Sequence, residues 1–339
     1  MEENRMATHE HHGDHEHDHG SHTHGTVDAS LLTTERGIWA VKWSLVALGV
    51  TALFQVAIVV YTGSVALLAD TIHNFGDAAT AIPLWIAFSL AKRPPTKRFT
   101  YGYGRVEDIA GIIVVLIILA SAIVAAVQSV DRLLNPQPME HVWVVAAAAV
   151  IGFFGNEAVA LFRIKVGREI NSAALIADGY HARADGFTSL GVLAGAIGVA
   201  LGFPLADPIA GLLITLSILR IVWESGKAVL TRVADGVDPV VVDEIEHALG
   251  HVSGVEQVED VRVRWTGHRL RAEVAVAVRA SLSVSEGHAI AVDARHALLH
   301  ALPYLSDATV HVDPSEQAGG SHHAFEEHEH GSLPAHGHP

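Results

Sequence analysis

The segment LIADGYHARADGFT (Leu175–Thr188) places an aspartate, a histidine and a second aspartate at positions 178, 181 and 185 of a long apolar stretch. The same spacing, Asp-x-x-His-x-x-x-Asp, occurs earlier in LLADTIHNFGDAAT (Leu67–Thr80). On an α-helix, residues that are three and seven positions apart lie on one side. Each copy therefore predicts a helix that presents two carboxylates and an imidazole in a row, in surroundings where charge is costly.

The composition predicts a membrane protein. Of the 339 residues 50% are hydrophobic and 17% are charged, whereas about a quarter are charged in an ordinary soluble domain. The apolar residues fall into runs of about the length that a helix needs to cross a bilayer, and we predict six transmembrane helices at 38–61, 65–90, 107–130, 142–162, 173–201 and 206–224. The alternative, the interior of a large soluble helical bundle, is less favoured. The net charge of −15 argues against a nucleic-acid partner, and the lack of cysteine excludes thiolate metal sites.

Lysine and arginine predict the orientation in the membrane, because they favour cytoplasmic loops. They are concentrated in the connection between helices two and three (Lys92, Arg93, Lys97, Arg98, Arg105) and in that between helices four and five (Arg163, Lys165, Arg168). We therefore expect both termini in the cytoplasm. The polar, acidic N-terminus resembles no cleavable signal peptide, and the compact loops favour a bacterial inner membrane.

Four regions follow from these patterns. Residues 1–36 and 314–339 are predicted to be disordered, histidine-rich cytoplasmic tails. Whether the tails bind metal loosely or are only solvated acidic segments is left open. Residues 37–230 are predicted to form the transport domain in the membrane, and residues 238–313 a cytoplasmic regulatory and dimerisation domain.

The pattern of residues 238–313 predicts the order αββαβ. An Asp-Pro helix start at Asp238 is followed by alternating apolar residues around a turn at Gly267 and His268, then by a helix at 285–302 and a last strand. This order is typical of a small ferredoxin-like α+β fold. The segment is too polar to enter lipid.

The two copies of the motif predict one metal site. Helices two and five are expected to run antiparallel, which places His73 level with Asp185 and Asp77 level with His181. Two imidazoles and two carboxylates can surround a divalent ion tetrahedrally. Without metal, protons can neutralise the same groups, so that metal and protons compete for the site, and this competition is the chemical basis of antiport.

Three other interpretations of the motif compete with a transport site. In the first, the polar residues serve merely to join helices by hydrogen bonds, and the two identical spacings make this interpretation improbable. An intramembrane metalloenzyme would need an open ligand position, and the sequence shows neither HExxH nor GxSxG, so we expect no enzyme and no organic cofactor. A non-transporting metal sensor or buffer is the third. For Asp70 and Asp178, one turn beyond the four ligands, two roles remain equally open: support of the ligands or relay of metal or protons on the one hand, and a merely packed, hydrogen-bonded role on the other.

The chain resembles the cation diffusion facilitator family of zinc/proton antiporters. Besides the paired HxxxD, the segments GSVALLAD (Gly63–Asp70), DPIAGLLI (Asp207–Ile214) and the final HVDP fit this family. The resemblance implies that His73, Asp77, His181 and Asp185 form the transport site, that the protein is a homodimer, and that it exports metal from the cytoplasm in exchange for protons by alternating access. Two histidines and two aspartates suit Zn²⁺ as the transported substrate, while Co²⁺, Cd²⁺, Fe²⁺ and Mn²⁺ stay open.

The resemblance also points to a metal site in the cytoplasmic domain. His311 and Asp313 match a His-x-Asp on the final strand, and His288 matches a position on the helix before it. Glu259 and Val274 stand where some relatives have further histidines. A partial site for a structural or regulatory Zn²⁺ and a simple surface histidine are equally open.

Overall fold

The computed structural model describes residues 29–62, 81–135, 142–203 and 205–315. A helical part comes first, and its helices are α1 (Ala29–Thr62), α2 (Ala81–Ala91), α3 (Arg105–Leu134), α4 (Val142–Glu169), α5 (Ala173–Ala200) and α6 (Ala206–Val233). A C-terminal α/β domain follows, with α7 (Pro239–Gly250), β1 (Gln257–Thr266), β2 (Arg269–Val278), α8 (Val284–Ala301) and β3 (Leu305–Pro314). The predicted order αββαβ is therefore confirmed.

Four of the described helices, α1, α3, α4 and α6, are long and apolar enough to cross a membrane. Large apolar side chains face outward on them, among them Trp143 at 78% exposure and Leu216 at 67%, as expected of a surface that meets lipid rather than water. Helix α5 has 28 residues and carries the charged motif. The described part of α2 has 11 residues, all of them uncharged.

Several helices extend beyond the apolar runs that predicted them. Helix α1 begins at Ala29, so the prediction of disorder for residues 1–36 is wrong for 29–36. The reason is packing, because Thr34 is fully buried against the C-terminal domain. Helices α4 and α6 continue to Glu169 and Val233, and β3 ends at Pro314, one residue beyond the predicted domain boundary.

Helices α4 and α5 pack against each other at very short range because glycine lies at their contact. A Cβ atom at Gly179 of α5 would stand 2.9 Å from the backbone nitrogen of Ile164 on α4, and one at Gly167 would stand 3.0 Å from that of Ile176. Such small residues allow helix backbones to approach closely in membranes. Ser172 ends the turn between the helices and caps α5, its hydroxyl accepting a hydrogen bond from the Leu175 amide (3.0 Å).

The C-terminal domain is a three-stranded sheet covered by two helices. The strand order is β1-β2-β3. Strand β1 pairs with β2 in antiparallel orientation, and β2 pairs with β3 in parallel orientation. The predicted period-two pattern is confirmed, since Leu270, Ala272, Val274, Val276 and Val278 of β2 are all buried. The first four belong to one core with Ile245 and Leu249 of α7 and Leu298 of α8, each of which has no exposed surface.

Both helices in this domain begin with a side-chain cap. Asp238 caps α7 and Pro239 occupies its first turn, as the Asp-Pro pair predicted. Helix α8 begins with a capping box, in which Ser283 and Glu286 satisfy each other's backbone amides.

Candidate metal site in the membrane domain

The three motif residues on α5 share one buried stripe of the helix. Asp178 is 0% exposed, His181 1% and Asp185 7%, and the His181 Nε2 and Asp185 Oδ2 atoms lie 3.8 Å apart. His181 stands about 12 Å along the helix axis from the first residue of α5, at 1.5 Å per residue. The three residues of this copy therefore lie on one side of the helix, as the spacing predicts, and that side is buried in the bundle.

Asp178 forms an ion pair with α4. Its Oδ2 atom lies 2.8 Å from Nη1 of Arg163, and the two side chains are 0% and 1% exposed. A buried ion pair removes the net charge that either group alone would bring into a membrane interior. The charge of Asp178 is therefore compensated by α4, whereas His181 and Asp185 lie next to each other one and two turns further along α5.

The remaining charge on α5, Arg183, is also compensated by α4. Its guanidinium donates two hydrogen bonds to the Glu157 carboxylate, at 2.7 and 3.2 Å, with both side chains 24% exposed. This bidentate pairing lies off the motif stripe.

The other half of the expected site, Asp70, His73 and Asp77, lies outside the described residues. Within the described part of the chain, no three His, Asp or Glu side chains come close enough together to hold one metal ion. His181 and Asp185 therefore stand as two neighbouring donors, an imidazole nitrogen and a carboxylate, of the kinds that Zn²⁺ and other divalent transition metals accept. The four-ligand site remains a prediction.

In the C-terminal domain the structure joins two of the three predicted ligands. On β3, His311 Nε2 lies 3.1 Å from Asp313 Oδ1, with the His311 side chain 59% exposed and that of Asp313 6% exposed. His288 on α8 does not complete a group of three with them, as far as the described residues show. The pair is thus at most part of a metal site.

Residues that the sequence did not single out form a second polar cluster, where the C-terminal domain meets the helices. Glu107 and Asp108 in the first turn of α3 are buried and bind the turn between β1 and β2 at Gly267 and His268. Two adjacent acids at the start of an apolar run were the available signal for this contact. Arg163 was missed for another reason: the sequence assigned it to a basic loop, but it is buried inside α4.

Comparison with known proteins identifies the family. The model of the cation efflux transmembrane domain matches residues 41–232, and that of the cation efflux protein cytoplasmic domain matches residues 237–315. A probable cation efflux system protein of Mycobacterium tuberculosis strain H37Rv is 56% identical over 291 residues, which cover 86% of this chain and 88% of the relative.

More distant relatives and solved structures also match. The manganese efflux system protein MneS of Bacillus subtilis is 26% identical and covers 75% of this chain and 87% of its own length. The magnetosome protein MamB of Magnetospirillum gryphiswaldense is 26% identical and covers 84% and 95%. A cadmium form of a MamM C-terminal domain variant matches at 24% identity over 22% of this chain and 94% of its own, with a TM-score of 0.22, too low to support an argument.

The two family models together cover nearly all of the described chain, and they place the membrane helices and the C-terminal α/β domain where the structure has them. The chain therefore belongs to the cation diffusion facilitator family: it is a multi-pass membrane protein with a cytoplasmic C-terminal domain and a cation efflux transporter.

Proposed function

We propose that the protein exports a divalent metal ion, Zn²⁺ first among the candidates, from the cytoplasm in exchange for protons. The observation that carries the proposal is the placement of His181 and Asp185, buried on α5 and 3.8 Å apart. The two other charges of this helix segment, Asp178 and Arg183, are compensated by α4. Imidazole and carboxylate are groups whose charge a metal ion or protons can balance.

The transport site is proposed to consist of His181 and Asp185 together with His73 and Asp77 of the second motif copy. Alternation between a cytoplasm-facing and an outward-facing arrangement of α2 and α5 would load metal on one side and release it to protons on the other. Imidazole and carboxylate ligands in equal number favour Zn²⁺ over the hard ions that prefer oxygen alone. The relative MneS, a manganese efflux system protein, makes Mn²⁺ the second candidate.

The orientation and assembly are proposed on similar grounds. The start of α1 lies at the end of the bundle that contacts the cytoplasmic domain, since Thr34 touches His268. This supports a cytoplasmic N-terminus, and the relatives' bacterial origin supports the inner membrane. The matching model of the cytoplasmic domain carries the name ZT_dimer, which supports a homodimer, with His311 and Asp313 as a partial Zn²⁺ site in each copy.

Metal uptake into proteoliposomes tests the transport proposal. Purified protein should accumulate Zn²⁺ in vesicles when a proton gradient is imposed, and the uptake should stop when the gradient is dissipated. His181→Ala should abolish uptake, whereas His296→Ala, which changes an exposed histidine of the cytoplasmic domain, should leave it intact. Competition with Mn²⁺, Co²⁺ and Cd²⁺ would rank the substrates.

Each alternative predicts a different result in the same assay. A metal sensor or buffer would bind Zn²⁺ saturably without vesicle uptake, and an intramembrane enzyme would turn over a substrate without moving metal. Uptake that was equal in wild type and His181→Ala would exclude the proposed site. Uptake that ignored the proton gradient would exclude antiport while leaving efflux in place.

A further inference from the structure

The turn between β1 and β2 is buried, although turns between strands ordinarily lie in solvent. We call residues 266–269 the hairpin tip. Gly267 adopts a φ of 65°, a conformation open to glycine, and a Cβ there would stand 2.7 Å from both the Glu107 carboxylate and the Gly104 carbonyl oxygen. The side chain of the next residue, His268, is covered, with 3% of the residue exposed. The hairpin tip is therefore inserted into the helical part of the molecule.

The His268 side chain joins three membrane helices. Its Nδ1 atom lies 2.6 Å from Glu107 Oε2 of α3, and the His268 backbone amide donates to the same oxygen at 3.2 Å. Its Nε2 atom lies 3.1 Å from Thr34 Oγ1 of α1, and its ring lies 5.8 Å from that of Phe88 on α2. A carboxylate only accepts hydrogen bonds, so Nδ1 carries the proton toward Glu107. Both members of this pair are almost completely buried, the side chains being 2% and 1% exposed.

A second set of contacts links the hairpin tip to α3, to α6 and to the start of α5. The Gly267 amide donates to Asp108 Oδ2 (3.2 Å), and Arg232 of α6 donates to the Gly267 carbonyl (3.3 Å). The same Arg232 nitrogen also donates to the carbonyl of Asn171 in the turn before α5. Ser172, the cap of α5, lies beside the Glu107 carboxylate. The helix that carries His181 and Asp185 therefore starts in direct contact with this cluster.

Strand β2 connects the hairpin tip with the far edge of the cytoplasmic domain. It begins at Arg269, the last residue of the tip, and runs parallel to β3 with Ala275 opposite His311 and Ala277 opposite Asp313. A shift of the sheet relative to the membrane therefore reaches the helix ends through one rigid strand. The hairpin tip is the element that touches α1, α2, α3 and α6 at once.

We propose that the hairpin tip is the joint that sets the cytoplasmic ends of the membrane helices during transport, and that His268 is a positioning residue for that reaction. Loosening the joint slows the alternation between the two arrangements while the metal site itself stays intact. The inference rests on the proposed transport function, since the rate of metal uptake is one of its readouts. The hydrogen bonds between buried His268 and Glu107 tolerate few arrangements, which makes the docked position of the hairpin tip a discrete state.

One glycine allows the joint to be disturbed without removing any polar group, and a second glycine serves as its control. Gly104 caps α3 in a helical conformation (φ −55°) that alanine adopts freely, but a Cβ there would stand 2.6 Å from the Thr266 carbonyl oxygen. Gly104→Ala should therefore push the hairpin tip out and lower the rate of Zn²⁺ uptake about tenfold, a coupling of ordinary size. Gly250→Ala at the end of α7 meets open space and is the matched control, with unchanged uptake. Zn²⁺ binding at equilibrium should be the same in both.

Substitution of His268 tests the polar contact itself. Asparagine places an amide nitrogen near the position of Nδ1, so His268→Asn should keep the bond to Glu107 and recover most of the uptake that His268→Ala loses. His296→Asn, on the exposed side of α8, is the matched control. If His268→Ala transported at the wild-type rate, or if His268→Asn were no better than His268→Ala, His268 would not act as a positioning residue.

Amide hydrogen exchange reads the joint separately from transport. The amides of Gly267 and His268 donate to buried carboxylates, so they should exchange slowly in the full-length wild type and at least tenfold faster in Gly104→Ala and His268→Ala. Fast exchange of these amides in the wild type would overturn the inference, and so would their release in the variants without any loss of uptake. A wild type that moved no metal would overturn the proposed function and, with it, the positioning role of His268. Slow exchange of the two amides in that protein would still show that the hairpin tip is docked against the helices.

Discussion

Replacement of Asp178 by asparagine should strongly destabilise the membrane domain. The change keeps the size of the side chain but leaves the Arg163 guanidinium charged and buried, with neither residue more than 1% exposed. Loss of one member of a buried ion pair costs about 3–5 kcal/mol, because the remaining charge is uncompensated. Arg163→Met should cost a similar amount, because the buried Asp178 carboxylate then loses the positive charge of Arg163. The double variant Arg163→Met/Asp178→Asn carries no charge at this position and should lose only about 1 kcal/mol.

The free energy of unfolding of the four proteins, measured by denaturant titration in mixed micelles, tests this reasoning. From these costs we expect a coupling energy of about 5 kcal/mol or more between the two positions. Strictly additive costs, or an Asp178→Asn variant that lost less than about 1 kcal/mol, would refute the claim that the pair acts as a unit.

The same variants separate the two roles that remain open for Asp178. If Asp178 only packs α5 against α4, the double variant should recover Zn²⁺ uptake along with stability. If Asp178 relays metal or protons, uptake should stay lost in the double variant although the fold is restored.

Three further predictions concern other parts of the chain. Glu157→Gln should cost about 1 kcal/mol in unfolding free energy, since Arg183 loses its partner at a partly exposed position. Leu298→Ala should cost about 2–5 kcal/mol by opening a cavity in the cytoplasmic core, detectable in the same titration. The backbone and side-chain hydrogen bonds of Ser283 hold the pKa of Glu286 below its usual 4.5. The contribution of the Glu286 carboxylate to folding stability is therefore present above pH 4.5 and is lost as the pH falls through its lowered pKa. The difference in Tm between wild type and Glu286→Gln should accordingly vanish in acid.

The sequence predicted the buried motif on α5 because helical spacing is a local property. Positions 178, 181 and 185 share a stripe in any α-helix, and the cost of charge in lipid made that stripe point inward. The partner of Asp178 was not predictable in the same way. The contact between Arg163 and Asp178 depends on the very short distance between α4 and α5 that glycine allows, and this distance is a tertiary property.

The turn at Gly267 and His268 likewise has one feature that the sequence predicts and one that it does not. Its position followed from the alternation of β1 and β2, and the structure confirms it. Its burial did not follow, because nothing local distinguishes a turn in solvent from one inserted between helices. The boundary of the N-terminal tail was wrong for a related reason: residues 29–36 are polar enough for disorder but are held in α1 by Thr34 and its contact to the cytoplasmic domain.

The close packing of α4 on α5 has a consequence for how metal preference can change among relatives. Two ion pairs and backbone contacts at glycine fasten α4 to the helix that carries His181 and Asp185. A substitution on α4 that shifts its axis by a fraction of an ångström must move these two donors by a similar amount. With His181 and Asp185 as the proposed ligands, metal selectivity could be retuned from α4, which supplies none of them, and a comparison limited to the ligands would overlook such substitutions.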